Sequence, residues 1–511
     1  MSLFVGIDIG TTFCKAVICD SAGTVLYSTT RANEIHVSGV FAEEDPSLWW
    51  ENACSITQEI VSNPFVKYDK IEGVGISCAG AMMAVDHYGH PLTNAIMQMD
   101  KRALAQMIKL RQMEEQGLLI FQNPVTDGVS SLQILLYLKE HCPDIYEKTY
   151  KFLSPNGYIA YKLTGRYTAE ISRWSTSLLL DLKSKCWDEK VCSRVSIDKA
   201  KLPDLIASDG IVGVITNEAA KETGLPAGTK VVAGMLDTAS AGLGLGALEF
   251  DDAYIVLGTF GKLCIVTDDK SLFDKHFANF TYLSNDKYIK YIATDGGCGL
   301  AVNWFKDCFG HEEKLTAEHL NKNVYSLLDD KANTVPPGSD GVLFLPNLSG
   351  GKSPTWDLNA KAVFFGITKN STKAHLFRAI LESIAYSAKM NLEIFEASVG
   401  KRIEKIKICG GGSKSDVWNQ IIADVLNRPL ELMKNPDSEA CGAAYIAAKS
   451  VLNLDSYNWV PAKAVRQICP NAQNAKIYDI YFPVYRHLYN SLESSYSKLQ
   501  SAQEEEKFLR T

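Results

Sequence analysis

The sequence has 511 residues, of which 46% are hydrophobic and 22% are charged, and its formal net charge is -7. A chain of this length is too long for one hydrophobic core, so we expect two or more globular domains. The negative charge argues against nucleic acid or an anionic membrane as the main partner. No apolar run reaches bilayer-spanning length, and residues 1–10 lack the features of a signal peptide. The 13 scattered cysteines favour free thiols in a reducing compartment, by default the cytoplasm.

The first predicted element is a β-hairpin whose turn contains Gly10, Thr11 and Thr12. The apolar run before the turn ends at residue 9, and the second strand-like run starts at Lys15. Glycine lets the backbone approach a ligand closely, and threonine adds hydroxyl groups beside exposed amides. Such a turn can hold a phosphate, although Gly-Thr hairpins also occur in proteins that bind no ligand.

The next informative stretches lie between residues 45 and 102. The Asp-Pro pair at 45–46 predicts the start of a helix, in which we expect Trp49 and Trp50 to be core anchors rather than ligand contacts. Asp100 and Arg102 follow a strand-like run, at the strand end where α/β folds usually bind ligands.

Asp237 follows a short apolar run and precedes a segment of small residues, 238–245, that can open a helix. Near the positive end of a helix dipole its carboxylate should stay ionised and able to accept a proton. This stretch leaves two interpretations open, a helix N-cap and a catalytic base, and N-caps are far more common. Gly242-Leu243-Gly244 imitates a dinucleotide-binding motif, but it lies within the helical segment and indicates helix packing.

The second half of the chain repeats the opening pattern. Residues 254–266 read as strand, turn and strand, with Gly258 and Thr259 in the turn. This repetition predicts a duplicated architecture with a ligand between the halves and a domain boundary near residues 248–252. A Gly-Gly-Gly-Ser run at 410–413 lies between a strand and a helix, and bare backbone there can accept a flat ring or a ribose. A tight turn needs one glycine rather than three, which favours a nucleotide-binding turn.

Other apolar periodicities in this half predict helices at 299–309, 372–397, 415–426, 439–449 and 478–500. The three glutamates at 504–506 are expected to form a solvated tail.

In their order along the chain these motifs resemble the FGGY family of carbohydrate kinases over nearly the whole length. The resemblance is carried by Asp8-Ile9-Gly10-Thr11-Thr12, Asp45-Pro46, Trp49-Trp50, residues 234–242, Gly258-Thr259, residues 348–354, Gly410-Gly411-Gly412-Ser413 and Gly442-Ala443-Ala444. It implies two actin-like (ribonuclease H-like) α/β domains with a cleft between them that close on ATP and a sugar. Residues 1–248 would bind the sugar and hold the catalytic base, and residues 249–511 would bind the nucleotide.

The resemblance also implies roles for individual residues. Asp237 would be the general base that takes a proton from the sugar hydroxyl, and Asp8 would orient Mg²⁺ through water. The residues implied in binding ATP are Gly10, Thr11, Thr12, Lys15, Gly258, Thr259, Gly410, Gly411, Gly412 and Ser413. Among them, the Gly10 and Gly258 amides and the three threonine hydroxyls would stabilise the charge that moves over the phosphates. Those implied in binding the sugar are Gly80, Ala81, Asp100, Arg102 and Asp237.

The predicted sugar pocket departs from the xylulokinase pattern. The usual Met-His-Gly is Ala79-Gly80-Ala81 here, the usual Trp is Gln98, and the usual Asp-Asn is Asp237-Thr238. We therefore expect phosphoryl transfer to be kept, with a ketopentose as the favoured acceptor. A gluconate, polyol or autoinducer-2 kinase is an alternative, and so are an actin-fold ATPase and a sugar sensor without catalysis. A homodimer is compatible with the resemblance.

Overall fold

The computed structural model describes residues 2–126, 130–268, 276–283, 287–293, 297–433, 437–461 and 463–510. The chain forms two compact units. The first unit consists of Met1–Phe250, Val266–Lys290 and Asp437–Ala462, and the second of Asp251–Ile265, Tyr291–Pro436 and Lys463–Thr511. One boundary between the two units, after Phe250, lies next to the predicted domain boundary at 248/249. Two later segments nevertheless belong to the first unit, so a single boundary does not describe the chain.

The strands and helices of the first half are β1 Leu3–Ile9, β2 Phe13–Asp20, β3 Val25–Ala32, β4 His36–Ser38, β5 Phe41–Glu44, α1 Pro46–Ser62, β6 Ile71–Cys78, β7 Ala81–Val85, β8 Ala95–Met97, α2 Leu104–Glu115, α3 Ser131–His141, α4 Pro143–Lys148, β9 Lys151–Leu153, α5 Pro155–Thr164, β10 Thr168–Glu170, α6 Ile171–Trp174, β11 Leu180–Asp181, β12 Cys186–Trp187, α7 Glu189–Arg194, β13 Asp204–Ile206, β14 Ile211–Val214, α8 Asn217–Thr223, β15 Lys230–Leu236 and α9 Asp237–Gly244.

Those of the second half are β16 Ala253–Leu257, β17 Gly261–Thr267, β18 Ala278–Tyr282, β19 Lys287–Ala293, α10 Cys298–Phe309, α11 His311–Leu320, α12 Val324–Asn333, β20 Leu343–Leu345, β21 Val363–Phe365, α13 Lys373–Val399, β22 Ile406–Cys409, α14 Asp416–Leu426, β23 Leu430–Met433, α15 Ser438–Val451, β24 Ala464–Ile468, α16 Ala472–Ser491 and α17 Glu493–Arg510.

A six-stranded sheet in the order β14-β15-β6-β1-β2-β3 forms the core of the first unit. Strand β1 is antiparallel to β2 and parallel to β6, and β15 is parallel to β6 on its other side. Helix α1 begins at Pro46, with Asp45 as its N-cap, and buries Trp49 and Trp50 as predicted. The core strands are buried on both faces, which requires their near-continuous apolar sequences.

Helix α15 joins this core from far along the chain. Its backbone touches β1 at Gly6 and β6 at Gly75, where an added Cβ would lie 1.9 Å from the Ala440 oxygen and 2.0 Å from the Ala443 oxygen. On α9, a Cβ added at Gly244 would lie 2.0 Å from the backbone oxygen of Ser438. The prediction that Gly244 serves helix packing is therefore confirmed.

In the second unit, β16 is antiparallel to β17 and parallel to β22, and β23 and β24 continue the sheet beyond β22. A hairpin followed by a parallel neighbour is thus found in both units, as the duplicated pattern predicts. Helix α13 is the predicted helix at 372–397, with a capping box at Thr372 and Gly400 as its C-cap.

The predicted helix at 478–500 is wrong in its bounds. The chain forms two helices there, α16 and α17, separated at Leu492, and α16 starts earlier and contains Pro483. The predicted tail at 504–506 lies within α17. Among the described residues, none of the helices combines the length and apolarity needed to cross a bilayer.

Candidate functional site

Two of the predicted site residues lie at the carboxyl edge of the first unit's sheet. In β1, Asp8 is paired with Ser77 of β6, and Cys78 of β6 is paired with Leu236 of β15. Asp237 directly follows Leu236. Asp8 and Asp237 therefore come to one edge of the sheet with a single strand between them, where α/β folds bind their ligands.

Asp237 is the first residue of α9, and it is half-buried while every other residue from 231 to 247 is buried. Its Oδ1 accepts hydrogen bonds from the Thr238 amide at 2.5 Å and the Thr238 hydroxyl at 2.9 Å. The N-cap position is taken by Leu236 instead. Asp237 is therefore not the N-cap of α9. Its carboxylate is the part of this buried strand-to-helix junction that reaches solvent.

Asp8 occupies a very different environment, with 3% of its surface exposed. Ser77 donates a hydrogen bond to its Oδ1 at 2.8 Å. Burial raises the pKa of Asp8 to about 7; the charges of Glu439 and Asp237 act in the same direction, and that of Lys15 opposes them. Lys15 lies opposite Asp8 in the hairpin register.

Glu439 is a residue of this site that the sequence did not reveal. It lies in the first turn of α15, and its backbone oxygen accepts a hydrogen bond from Ser240 at 2.6 Å. Its neighbour Asp437 pairs with Lys15 at 3.7 Å. The acidic start of the predicted helix at 439–449 was visible in the sequence, but its place beside Asp8 depends on the return of α15 to the first unit.

The residues around Asp8 fit a hard divalent cation. Carboxylate oxygens are the ligands that Mg²⁺ prefers, and it keeps several waters beside one or two carboxylates and phosphate oxygens. Burial, together with the negative charges of Glu439 and Asp237, raises the pKa of Asp8, and a bound cation would favour its ionised form. Within the described ranges there is no group of three or more His, Cys, Asp or Glu side chains that could form a protein-only cage.

The first Gly-Thr turn corrects one expectation. The Gly10 amide donates to the Phe13 carbonyl at 3.0 Å and so closes the turn. It is therefore engaged within the hairpin, contrary to the expected role of stabilising phosphate charge. Thr12 is exposed, and Thr11 is half-buried with its hydroxyl 3.4 Å from the amide nitrogen of Gln98. The hydroxyls remain the better candidates for a phosphate contact.

The predicted sugar contacts are held together in the first unit. Gln98 packs on Gly80, where a Cβ would lie 2.9 Å from its Oε1. Asp100 is buried, and its oxygens accept from the Arg102 backbone amide and guanidinium and from the Ala42 amide. Arg102 also donates to Glu43 at 2.5 Å. These bonds give Asp100 and Arg102 a structural role in fixing β5, and their contact with a sugar stays a prediction.

In the second unit, the carbonyls of Gly258 and Thr259 accept the amides of Gly299 and Leu300 at 3.0 Å each. This turn therefore holds the start of α10. Thr259 is exposed.

The glycine run at 410–412 is explained only in part by ligand binding. Gly410 has φ +93°, and a Cβ there would lie 2.7 Å from the Leu257 oxygen. A Cβ on Gly412 would lie 2.7 Å from the Trp418 ring, whereas one on Gly411 meets nothing within 4 Å. Packing thus requires two of the three glycines, which corrects the reasoning that a turn needs only one. Ser413 donates its hydroxyl to the Gly410 carbonyl at 2.8 Å.

Comparisons with known proteins identify the family to which the chain is similar. Residues 3–244 match the family model of the N-terminal domain of the FGGY family of carbohydrate kinases, and residues 253–451 match that of its C-terminal domain. The chain is 29% identical to a xylulose kinase of Bacillus subtilis, over 98% of this chain and 99% of the relative.

Two solved structures are also similar. A ligand-bound xylulose kinase from Lactobacillus acidophilus has a TM-score of 0.85 at 25% identity, covering 98% of this chain and 100% of the other. A gluconate kinase from the same organism has a TM-score of 0.86 at 25% identity, covering 98% and 99%.

Proposed function

We propose that this chain, which belongs to the FGGY family of carbohydrate kinases and is an ATP-dependent sugar kinase, phosphorylates a hydroxyl of a ketopentose. The observation that carries the proposed mechanism is Asp237. It is the one residue of a buried strand-to-helix junction that reaches solvent, at the sheet edge that also holds Asp8. Support for a ketopentose comes from similarity to xylulose kinases along almost the whole chain.

In this mechanism Asp237 accepts the proton of the acceptor hydroxyl as that oxygen attacks the γ-phosphorus. The bond between the γ-phosphorus and the bridging oxygen breaks, and ADP leaves. Two bonds from Thr238 fix Oδ1 of Asp237, so the carboxylate is held in one orientation before the acceptor arrives. Partial exposure leaves this carboxylate accessible to a small polyhydroxy substrate.

Asp8 would hold Mg²⁺ through water, and the ion would neutralise charge on the phosphates. The hydroxyls of Thr11, Thr12 and Thr259 would donate to phosphate oxygens. Lys15 would add a positive charge on the sugar-binding unit, and the turn at 410–413 would accept the adenosine. The assignment of sugar binding to residues 1–248 and of nucleotide binding to residues 249–511 also belongs to this proposal.

A gluconate kinase is the second candidate, because a gluconate kinase structure matches this chain as well as a xylulose kinase structure does. Cytoplasmic location also belongs to the proposal, since all 13 cysteines are free thiols. A homodimer is proposed on the family resemblance alone.

The test is ADP release from ATP and Mg²⁺ with ketopentoses, polyols, aldonates and autoinducer-2 as separate acceptors. We expect ketopentose-dependent turnover, and preferential turnover of an aldonate would replace the proposed substrate. ADP release that no acceptor stimulates would indicate an ATPase, and binding of a sugar without turnover would indicate a sensor. Asp237→Asn should lower the rate by about two to four decades. The matched control is Asp69→Asn, which removes an exposed carboxylate of the same unit; a near-normal rate for Asp237→Asn would refute the assignment of the base.

A further inference from the structure

The second unit contains a cavity that none of the predicted site residues lines. Its volume is about 200 Å³, which at about 30 Å³ per water molecule has room for about six water-sized groups. One face of α13 lines it together with the end of α14 and part of α16. Its charged lining residues are Lys389, Glu393, Glu396, Arg402, Arg428 and Asp479. Three cations and three carboxylates give this lining no net charge, which favours a ligand that is itself neutral overall.

Four of these six charged groups are satisfied by each other. The Arg428 side chain is 9% exposed, and its Nη2 donates to both oxygens of Glu396 at 3.1 and 3.2 Å. Its Nε donates to the Ile403 carbonyl, and Glu396 accepts the Ile403 amide, both at 2.7 Å. Lys389 donates to Asp479 at 2.5 Å. These two pairs therefore form fixed walls of the cavity, because their charges are already compensated.

Glu393 is the carboxylate of the cavity with the least compensation. Among the residues that the structure describes, it accepts no hydrogen bond, and its one ion pair is with Arg486 at 3.5 Å. Burial raises the pKa of Glu393, and the charges of Lys389 and Arg486 oppose this shift without cancelling it. The side chain is 44% exposed, so a ligand can reach it. A ligand ammonium group would supply the hydrogen-bond donors that this carboxylate lacks.

Arg402 is the cation of the cavity with the weakest contacts. Its side chain is 56% exposed; Nη2 lies 3.4 Å from the Asn427 carbonyl oxygen, and Nε lies 3.9 Å from a Glu404 oxygen. Both distances exceed that of a strong hydrogen bond, so this guanidinium keeps donors for a carboxylate, which it can bind with two parallel bonds. Leu392 and Leu426 also line the cavity and provide an apolar wall.

We propose that this cavity binds a small neutral α-amino acid, whose ammonium group contacts Glu393 and whose carboxylate contacts Arg402. Such a zwitterion satisfies both groups that the protein leaves uncompensated, and it adds no net charge to a lining that is already neutral. The two leucines would contact a short aliphatic side chain. The inference goes beyond sugar phosphorylation, and it depends on neither the proposed acceptor nor the proposed base.

The experiment is isothermal titration calorimetry of the full chain, without ATP, against L-alanine and L-serine. We expect saturable binding with a Kd below about 1 mM. Propionate, which lacks the amine of L-alanine, and ethylamine, which lacks its carboxylate, should each bind at least about tenfold more weakly, because each leaves one charged group of the cavity without a partner.

Variants locate the bound amino acid. Glu393→Gln and Arg402→Met should each weaken L-alanine binding at least about tenfold. Their melting temperatures should not change, because both side chains are largely exposed. The matched controls are Glu312→Gln and Arg466→Met, which remove exposed charges of the same unit outside the cavity and should keep the wild-type affinity.

Three outcomes would overturn the inference. The first is the absence of saturable binding of both amino acids at about 10 mM, which is well above the expected Kd. The second is an affinity for propionate or ethylamine equal to that for L-alanine, which would show that the site takes a simple ion. The third is unchanged binding of L-alanine in both cavity variants, which would place the amino acid elsewhere on the protein.

Discussion

Substituting Gly6 by alanine should disable the enzyme through a helix that lies more than 400 residues along the chain. The Cβ added at Gly6 would lie 1.9 Å from the Ala440 oxygen and 2.5 Å from the Ala444 nitrogen. Both are backbone atoms of α15, so no side-chain rotation relieves the overlap. The helix must move away from β1 by about 1 Å, because non-bonded atoms rarely approach within about 3 Å.

The size of the effect follows from what holds α15 in place. Overpacking a well-packed core costs about 1–3 kcal/mol and more where the neighbour is rigid. The helix is rigid here because Gly75 and Gly244 bring it equally close to β6 and α9. We therefore expect Gly6→Ala to lower the free energy of unfolding by at least about 2 kcal/mol. Since Glu439 moves with the helix, away from Asp8, kcat should fall as well.

The measurement is urea denaturation combined with kcat under saturating ATP and acceptor. Gly228→Ala is the matched control: its φ is +84°, but an added Cβ meets nothing within 4 Å. The free energy of unfolding of that variant should fall by only about 1–2 kcal/mol, the cost of placing alanine in a left-handed conformation, and its kcat should not change. If Gly6→Ala proves as stable and as active as the wild type, the close contact between α15 and β1 does not exist in solution.

Two further predictions concern a buried acid and the glycine turn. Burial raises the pKa of Glu44 to about 7, so the wild type should lose stability as pH rises from 5 to 8. Over this range the free energy of unfolding of Glu44→Gln, measured by denaturation, should rise by about 3 kcal/mol relative to that of the wild type. For Glu59→Gln the difference from the wild type should stay constant, because the pKa of Glu59 is lowered to about 2 and the group is ionised throughout. The same pH dependence in both variants would contradict this prediction. If the turn at 410–413 binds adenosine, Gly411→Val should raise KM for ATP without changing the melting temperature. Gly412→Ala should instead lower the melting temperature, because its Cβ would overlap the Trp418 ring. An unchanged KM for ATP in Gly411→Val would exclude adenosine binding at this turn.

Local patterns were sufficient for several parts of the site. The apolar run before Asp237 and the small residues after it predicted a strand followed by a helix, and β15 and α9 meet at that residue. The paired tryptophans after Asp45 predicted core anchors, and both are buried. In each case neighbours within a few residues determine the structure, because strand alternation and helix capping are properties of short segments.

Contacts between segments that are far apart in the chain could not be predicted from local sequence. Nothing around residues 437–451 indicates that α15 packs on the first unit, so Glu439 could not be placed beside Asp8. The role of the Gly-Gly-Gly run was misjudged for the same reason. Two of its glycines are required by contacts with Leu257 and Trp418, and these contacts form only in the folded chain. The Gly10 amide was expected to face a phosphate, but hairpin geometry directs it to Phe13.

The two acids at the sheet edge have different environments, which fit the different roles proposed for them. Asp8 is almost completely buried between Ser77 and like charges, and burial holds its pKa near 7. A carboxyl group in that position binds a cation well, because the cation removes the unfavourable charge, but its burial makes it a poor contact for a sugar. Asp237 is half-buried, and its Oδ1 accepts two hydrogen bonds from Thr238. Two carboxylates whose environments separate their properties in this way suit a division between metal holder and proton acceptor.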